Sequence, residues 1–223
     1  MNHALKNNKK EENSPQGDHW RFTYKQWGVD EKHYLDVVEH LAKNKITSYV
    51  DLGANTGGVC SVLLEKIETL EKCYLFEPQV VNFNFMKDVF QSDERVICYN
   101  FGILYTDKKN VNLFRCDDNI GGYTTIKFNE KFNLSGDQME VRRLEDFNFS
   151  QVDFIKIDVE GAEENIILNS TLLKEIKFIE LELHERLLDK KIAVEFLEKN
   201  MKSHSIIYDL SHFPHHVFLQ KIK

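Results

Sequence analysis

Three short segments carry residue types whose spacing could do chemistry. The first is Val50-Asp51-Leu52-Gly53-Ala54-Asn55-Thr56-Gly57-Gly58, where an apolar run containing an acid leads into a glycine turn. Glycine lets the backbone bend sharply and lets a ligand approach the main chain, and the helix that follows presents unpaired N–H groups at its start. The pattern is D-x-G-x-x-x-G rather than the G-x-G-x-x-G of a dinucleotide site. Asp51 would repel a pyrophosphate and suits a cationic group instead. The second segment is Glu77-Pro78, roughly 24 residues after Gly53, the distance at which an acid hydrogen-bonds a ribose diol. The third is Lys156-Ile157-Asp158-Val159-Glu160-Gly161-Ala162-Glu163. It sets a lysine inside an apolar run and carboxylates just beyond it. Such carboxylates can take a proton from a hydroxyl, and a buried lysine needs a partner.

The elements that must position these residues alternate. Ser48–Leu52, Cys73–Phe76, Arg95–Asn100, Val152–Ile157 and Phe178–Leu183 read as strands. Helical patterns over Asp30–Asn44, Gly58–Leu70, Val80–Phe90, Ala162–Asn169 and Lys191–Asn200 lie before or between them. Alternation of this kind predicts an α/β fold with a mostly parallel seven-stranded sheet and helices on both faces. Ile206–Leu210 and Val217–Ile222 are joined too tightly to be parallel and predict a C-terminal antiparallel hairpin. Ligands of open α/β sheets sit beyond the carboxyl ends of the strands, where all three segments fall. Residues 1–19 read as a polar tail and 20–223 as one domain, with an insertion of short strands and turns at about 103–150. Trp20, Phe22, Tyr24 and Trp27 are read as packing on that domain.

The composition narrows the class of partner. Of 223 residues, only 10 are glycine and 3 proline, so most sharp bends fall in the loops named above. The net charge of −7 removes the attraction that supplies non-specific nucleic-acid binding, so a small-molecule partner is expected and a nucleic acid is not. No stretch approaches a membrane span and the N-terminus lacks the apolar core of a signal peptide, so a cytoplasmic protein without a membrane partner is expected. Cys60, Cys73, Cys98 and Cys116 show no metal-ligand spacing and read as reduced thiols. The oligomeric state is not legible.

The strand-end glycine turn and acid resemble those of class I methyltransferases, whose cofactor, S-adenosyl-L-methionine, has a cationic sulfonium and a ribose. More specifically, VDLGANTGG, LFEP and VDFIKIDVEGAE, with DNIGGYTT and RRLEDF between them, resemble the FkbM-type methyltransferases over about residues 48–185. The resemblance implies a Rossmann-like fold and methyl transfer to a hydroxyl of a sugar, glycan precursor or natural product. It places the cofactor on Asp51, Gly53, Ala54, Asn55, Gly57, Glu77, Pro78, Asn100, Phe101 and Asp158. The strand ending Glu182-Leu183-His184-Glu185 matches the family only loosely.

Asp158 and Glu160 are the candidate bases, and either could serve. Lys156 and His184 complete the expected catalytic group. Lys156 pairs either with one of those carboxylates or, as a structural lysine, with Glu180 or Glu182. Glu180, Glu182 and His184 alternate and so share a strand face. Asp158, Glu182 and His184 could hold a divalent cation, although a metal-free acid–base cluster is preferred. His212, His215 and His216 read as exposed turn residues, and Gly121-Gly122-Tyr123 as a pocket wall or a simple turn. The alternatives are an N-methyltransferase, a methyltransferase acting on RNA or protein, a Rossmann-type oxidoreductase and a non-catalytic nucleotide-binding module.

Overall fold

Short apolar runs bounded by turn residues become buried strands. Ser48–Leu52 (β1) is buried at every position, and Lys72–Phe76 (β2) at all but its first. The computed structural model describes residues 32–116, 123–124, 132–208 and 216–222. It divides into two compact units, Met1–Asn100 and Phe101–Lys223. The aromatic segment at Trp20–Trp27, Gly121-Gly122, His212 and His215 lie outside the described residues.

In the first unit β1 pairs in parallel with β2, and β2 in parallel with Val96–Tyr99 (β3). The register sets Leu52 opposite Phe76 and Phe76 opposite Tyr99. The three carboxyl ends are therefore level, and the turns that follow them leave from one edge. Helices Lys32–Lys43 (α1), Gly58–Lys66 (α2) and Val80–Phe90 (α3) accompany the strands. Helix α2 is shorter than its apolar pattern predicts. It stops at Lys66, and Ile67 turns extended (φ −117°) while staying buried with Leu70. Its residues Gly58–Leu63 are all buried, so α2 is enclosed rather than one-sided.

In the second unit, Gly102–Ile103 (β4), Asn110–Cys116 (β5), Tyr123–Thr124 (β6) and Phe132–Arg142 (β7) form a four-stranded sheet in the order β4-β7-β5-β6. The stretch read as an insertion thus has its own sheet, with its own small core of Leu113, Met139 and Val141. Phe154–Ile157 (β8), Glu163–Asn169 (α4), Phe178–Glu182 (β9), Lys190–Asn200 (α5), His204–Tyr208 (β10) and His216–Lys221 (β11) follow. Strands β8 and β9 are parallel, while β11 is antiparallel to both β9 and β10, as the hairpin expectation required. The mostly parallel seven-stranded sheet has the order β10-β11-β9-β8-β1-β2-β3. Among the described residues no helix is long and apolar enough to cross a membrane.

Gly57 fixes the start of α2. Its φ of +83° is left-handed, and a Cβ there would lie 2.4 Å from the Phe90 ring and 3.3 Å from Met86 Cγ. A Cβ on Gly102 would also meet an atom at 2.4 Å, but that atom is the mobile terminal methyl of Met139, and no left-handed φ adds strain. Gly57→Ala should therefore cost about 1–2 kcal/mol for the backbone and about 1–3 kcal/mol for overpacking. Gly102→Ala should cost clearly less. Urea midpoints of the two variants check this ordering, and equal losses would contradict it.

Candidate functional site

The turn after β1 holds three left-handed residues at alternate positions: Gly53 (φ 85°), Asn55 (φ 52°) and Gly57 (φ 83°). Such a backbone needs anchors, and they come from β2 and its turn. The N–H groups of Gly53 and Ala54 both donate to Phe76 O, at 3.0 and 2.9 Å. Asn55 N–H donates to Glu77 Oε2 at 2.8 Å, and Gln79 N–H to Glu77 Oε1 at 2.8 Å. Glu77 is thus a buried carboxylate that clamps two strand-end turns together.

Asn100 supports this clamp from β3. Its Nδ2 donates to Glu77 O at 2.8 Å and to Pro78 O at 3.0 Å. The Asn100 side chain thereby braces the Glu77-Pro78 turn. Asp51 is buried at the last turn of β1. Asn55 Oδ1 is buried and, among the described residues, has no hydrogen-bond donor. That unmatched acceptor, with the acids Asp51 and Glu77, suits a ligand bearing an ammonium group and a diol. Phe101, expected with Asn100, belongs to the second unit, where its ring lies under the Arg142 guanidinium (5.0 Å) and beside Phe147 (6.1 Å).

The second unit carries the charged cluster. Lys156 is buried on β8, and its Nζ lies 2.7 Å from Asp158 Oδ2. Of the two pairings open to this lysine, that with Asp158 is made. Beyond β8, Glu160 is left-handed (φ 51°) and Gly161 follows at φ 102°. Glu163, at the first position of α4 and only 1% exposed, holds this turn. Its Oε1 accepts from Val159 N–H at 3.1 Å and Gly161 N–H at 3.0 Å, and lies 3.0 Å from His184 Nδ1. His184 Nε2 lies 3.4 Å from Glu160 Oε2 and 4.0 Å from Glu182 Oε1. The structure therefore brings together all four residues expected to be catalytic, Lys156, Asp158, Glu160 and His184.

Glu163 was part of the sequence motif but had no role assigned there. The signal for it is an acid in the first turn of a helix directly after a glycine bend, where it can reach back to free amides. His216 is a correction to the expected exposed turn. It begins β11 opposite Glu182, is largely buried, and has Nδ1 3.0 Å from Glu180 Oε1 and Nε2 3.8 Å from Glu182 Oε2. Two acids on the neighbouring strand draw it in.

The electrostatics separate these groups. Burial opposes a charge on His184, but its hydrogen bond to Glu163 and the fields of Glu163, Asp158 and Glu160 outweigh it and push its pKa up to about 10. Burial also opposes the charge on Asp158, yet Lys156 and His184 hold its pKa below the usual carboxylate value. Glu160 is pushed up to about 7 by burial, with Asp158 and Glu163 adding to it. Glu182 is pushed up to about 8, again by burial first and Asp158 next. His184 is thus a cation, Asp158 an anion, and Glu160 and Glu182 titrate near neutrality.

Asp158, Glu160 and His184 can bring one ligand atom each within 4.8 Å of one another, which replaces Glu182 by Glu160 in the expected cation triad. The Lys156 ammonium already sits on Asp158, and His184 Nδ1 faces Glu163 while its Nε2 faces Glu160.

A Rossmann-like, mostly parallel sheet with acids at its strand ends defines the architecture of the class I methyltransferases. The model of the methyltransferase FkbM domain matches residues 51–208, and the chain belongs to that family. Solved structures share the fold. The methyltransferase FkbM of Methylobacillus flagellatus KT aligns with a TM-score of 0.55 at 15% identity, over 80% of this chain and 44% of that one. The chain thus spans less than half the length of that relative. The methyltransferase domain of bacterial CtHen1-CN aligns with a TM-score of 0.50 at 14% identity, over 89% of this chain and 100% of that one. No curated protein shows significant sequence similarity.

The shift on Glu182 makes a signed prediction. Because its folded pKa lies above its ordinary value of 4.5, folding favours the protonated acid. That contribution is complete below about pH 4.5 and is lost as the pH rises through about 8. Glu182→Gln removes the cost of the anion, so the Tm of the variant relative to the unaltered protein should be higher at pH 9 than at pH 5. An equal difference at both pH values would show that Glu182 ionises normally.

Proposed function

We propose that this chain is an S-adenosylmethionine-dependent methyltransferase acting on a hydroxyl of a sugar, glycan precursor or natural-product small molecule. The observation that carries the reading is the first unit's turn, in which left-handed backbone, two buried acids and the unmatched acceptor Asn55 Oδ1 converge. S-adenosylmethionine, when bound, supplies an electrophilic methyl group on a cationic sulfur. Asp51 contributes negative potential for a cationic ligand, Glu77 accepts from a diol, and Asn100 keeps Glu77 in place. Gly53, Ala54 and Gly57 set the backbone that a ligand approaches, and Pro78 ends the ladder beside the diol acid.

The second unit's cluster assigns the proton. A general base acting near neutral pH works best with a pKa close to that pH. Glu160 meets this condition, whereas Asp158 is committed to Lys156 as an ion pair. We therefore assign the acceptor's proton to Glu160. Asp158 orients the Lys156 side and His184, as imidazolium, stabilises the Glu160 anion before it takes the proton. Transfer to an amine would need no such base, so the same cluster favours a hydroxyl over an amine acceptor.

Titration calorimetry on the full chain should show binding of S-adenosylhomocysteine and none of NADH, and Asp51→Ala should abolish that binding. NADH binding alone would replace this reading with an oxidoreductase. Glu160→Gln should keep the binding and lower kcat by about 10²–10⁴-fold. In the unaltered protein kcat should rise with pH through about 7 as Glu160 ionises. Unchanged turnover in Glu160→Gln would return the base to Asp158.

A further inference from the structure

A second charged feature lies outside both the turn and the acid–histidine cluster. The ladder of β5 and β7 sets Asn110 opposite Glu140, and Val141 N–H donates to Lys109 O at 2.8 Å. This pairing brings Lys108-Lys109, just before β5, against Arg142-Arg143, at the end of β7. Leu104 N–H, donating to Arg142 O at 3.0 Å, closes the other side. The result is a cavity of about 210 Å³ lined by all four cations. Four cations gathered at one cavity, in a chain of net charge −7, favour an anionic ligand there.

Three carboxylates share the lining, Asp107, Glu140 and Asp146, and they offset the two arginines rather than the two lysines. Glu140 is ion-paired with Arg142. Asp107 lies 3.7 Å from Arg143 and is fully exposed, where the attraction is weak. Asp146 accepts the backbone N–H of Arg143 at 3.0 Å. Lys108 and Lys109 have no carboxylate partner among the described residues. The Arg142 guanidinium also lies over the Phe101 ring, 5.0 Å from its centre. The cavity is smaller than a site that encloses a whole drug-sized ligand, and it fits one or two phosphate groups. Lysine and arginine together are the donors that recognise phosphate.

We propose that Lys108, Lys109, Arg142 and Arg143 form a binding site for the phosphate or diphosphate group of a phosphorylated small molecule. Taken with the methyl-transfer reading, on which this further step rests, the site is a handle for a phosphorylated acceptor such as a nucleoside diphosphate-linked sugar.

The test is calorimetry on the full chain with inorganic pyrophosphate as the probe. Saturable binding is expected, weakening as salt is raised. Lys108→Ala/Lys109→Ala should lower the affinity about tenfold or more, leave the Tm in place and leave S-adenosylhomocysteine binding unchanged. Lys190→Ala/Lys191→Ala, on α5, should change nothing. Failure of the unaltered chain to bind pyrophosphate, or equal affinity in the Lys108/Lys109 variant, overturns the site even if S-adenosylhomocysteine binds. Loss of S-adenosylhomocysteine binding in the unaltered chain would instead sink the methyl-transfer reading and leave the phosphate measurement standing by itself. A nucleoside diphosphate should bind more tightly than a short single-stranded oligonucleotide. The reverse order would overturn the small-molecule assignment in favour of a nucleic-acid backbone.

Discussion

The second unit's chemistry depends on one buried carboxylate. Glu163 is almost wholly buried at the start of α4, and an acid in that position is tolerable only if its oxygens are satisfied. Its Oε1 takes the amides of Val159 and Gly161 and faces His184. Three consequences follow from this single set of contacts. The left-handed bend at Glu160 and Gly161 is held closed, His184 is held as a cation, and Glu160 is aimed at the far side of the same imidazole. Removing the carboxylate would release all three at once, because a buried charge stripped of its partner costs more than the pair gains.

The charges around it form a graded series rather than a neutral average. Lys156 fixes Asp158 as an anion, and burial raises Glu160 and Glu182 toward neutrality. One fold therefore supplies a carboxylate held below the ordinary range and one raised toward neutrality within a few residues. That separation is what acid–base chemistry near pH 7 needs. The first unit solves a different problem with similar means. There Glu77 accepts one backbone amide on each oxygen, which ties the left-handed turn after β1 to the turn after β2.

Much of this was legible in the sequence. Buried runs such as SYVDL, CYLF and FIKI stand out because, after Ser48, only Asp51 and Lys156 bring charge into them, and their alternation with helices gives the sheet. The glycines of the first turn declare themselves because two of its three left-handed positions need glycine. Other features were not legible for physical reasons. The length of α2 is decided by tertiary burial of Ile67 and Leu70, which helical periodicity alone extends too far. The bracing role of Asn100 is hidden in sequence, because its two carbonyl partners lie more than twenty residues away on another strand's turn. His216 sits beside other histidines and Pro214, a composition typical of a loop, and only the register of β11 on β9 reveals its two acidic partners. The separate sheet of the middle region depends on long-range pairing of β5 with β7, which short strand patterns do not specify.

The most direct measurement is the titration of the His184 ring by nuclear magnetic resonance, assigned by comparison with His184→Gln. If Glu163 organises the cluster as described, the imidazole stays protonated through pH 8 and loses its proton only near pH 10. A ring that deprotonates near its ordinary value of 6.5 would contradict the account, because Glu163 would then not hold a cation.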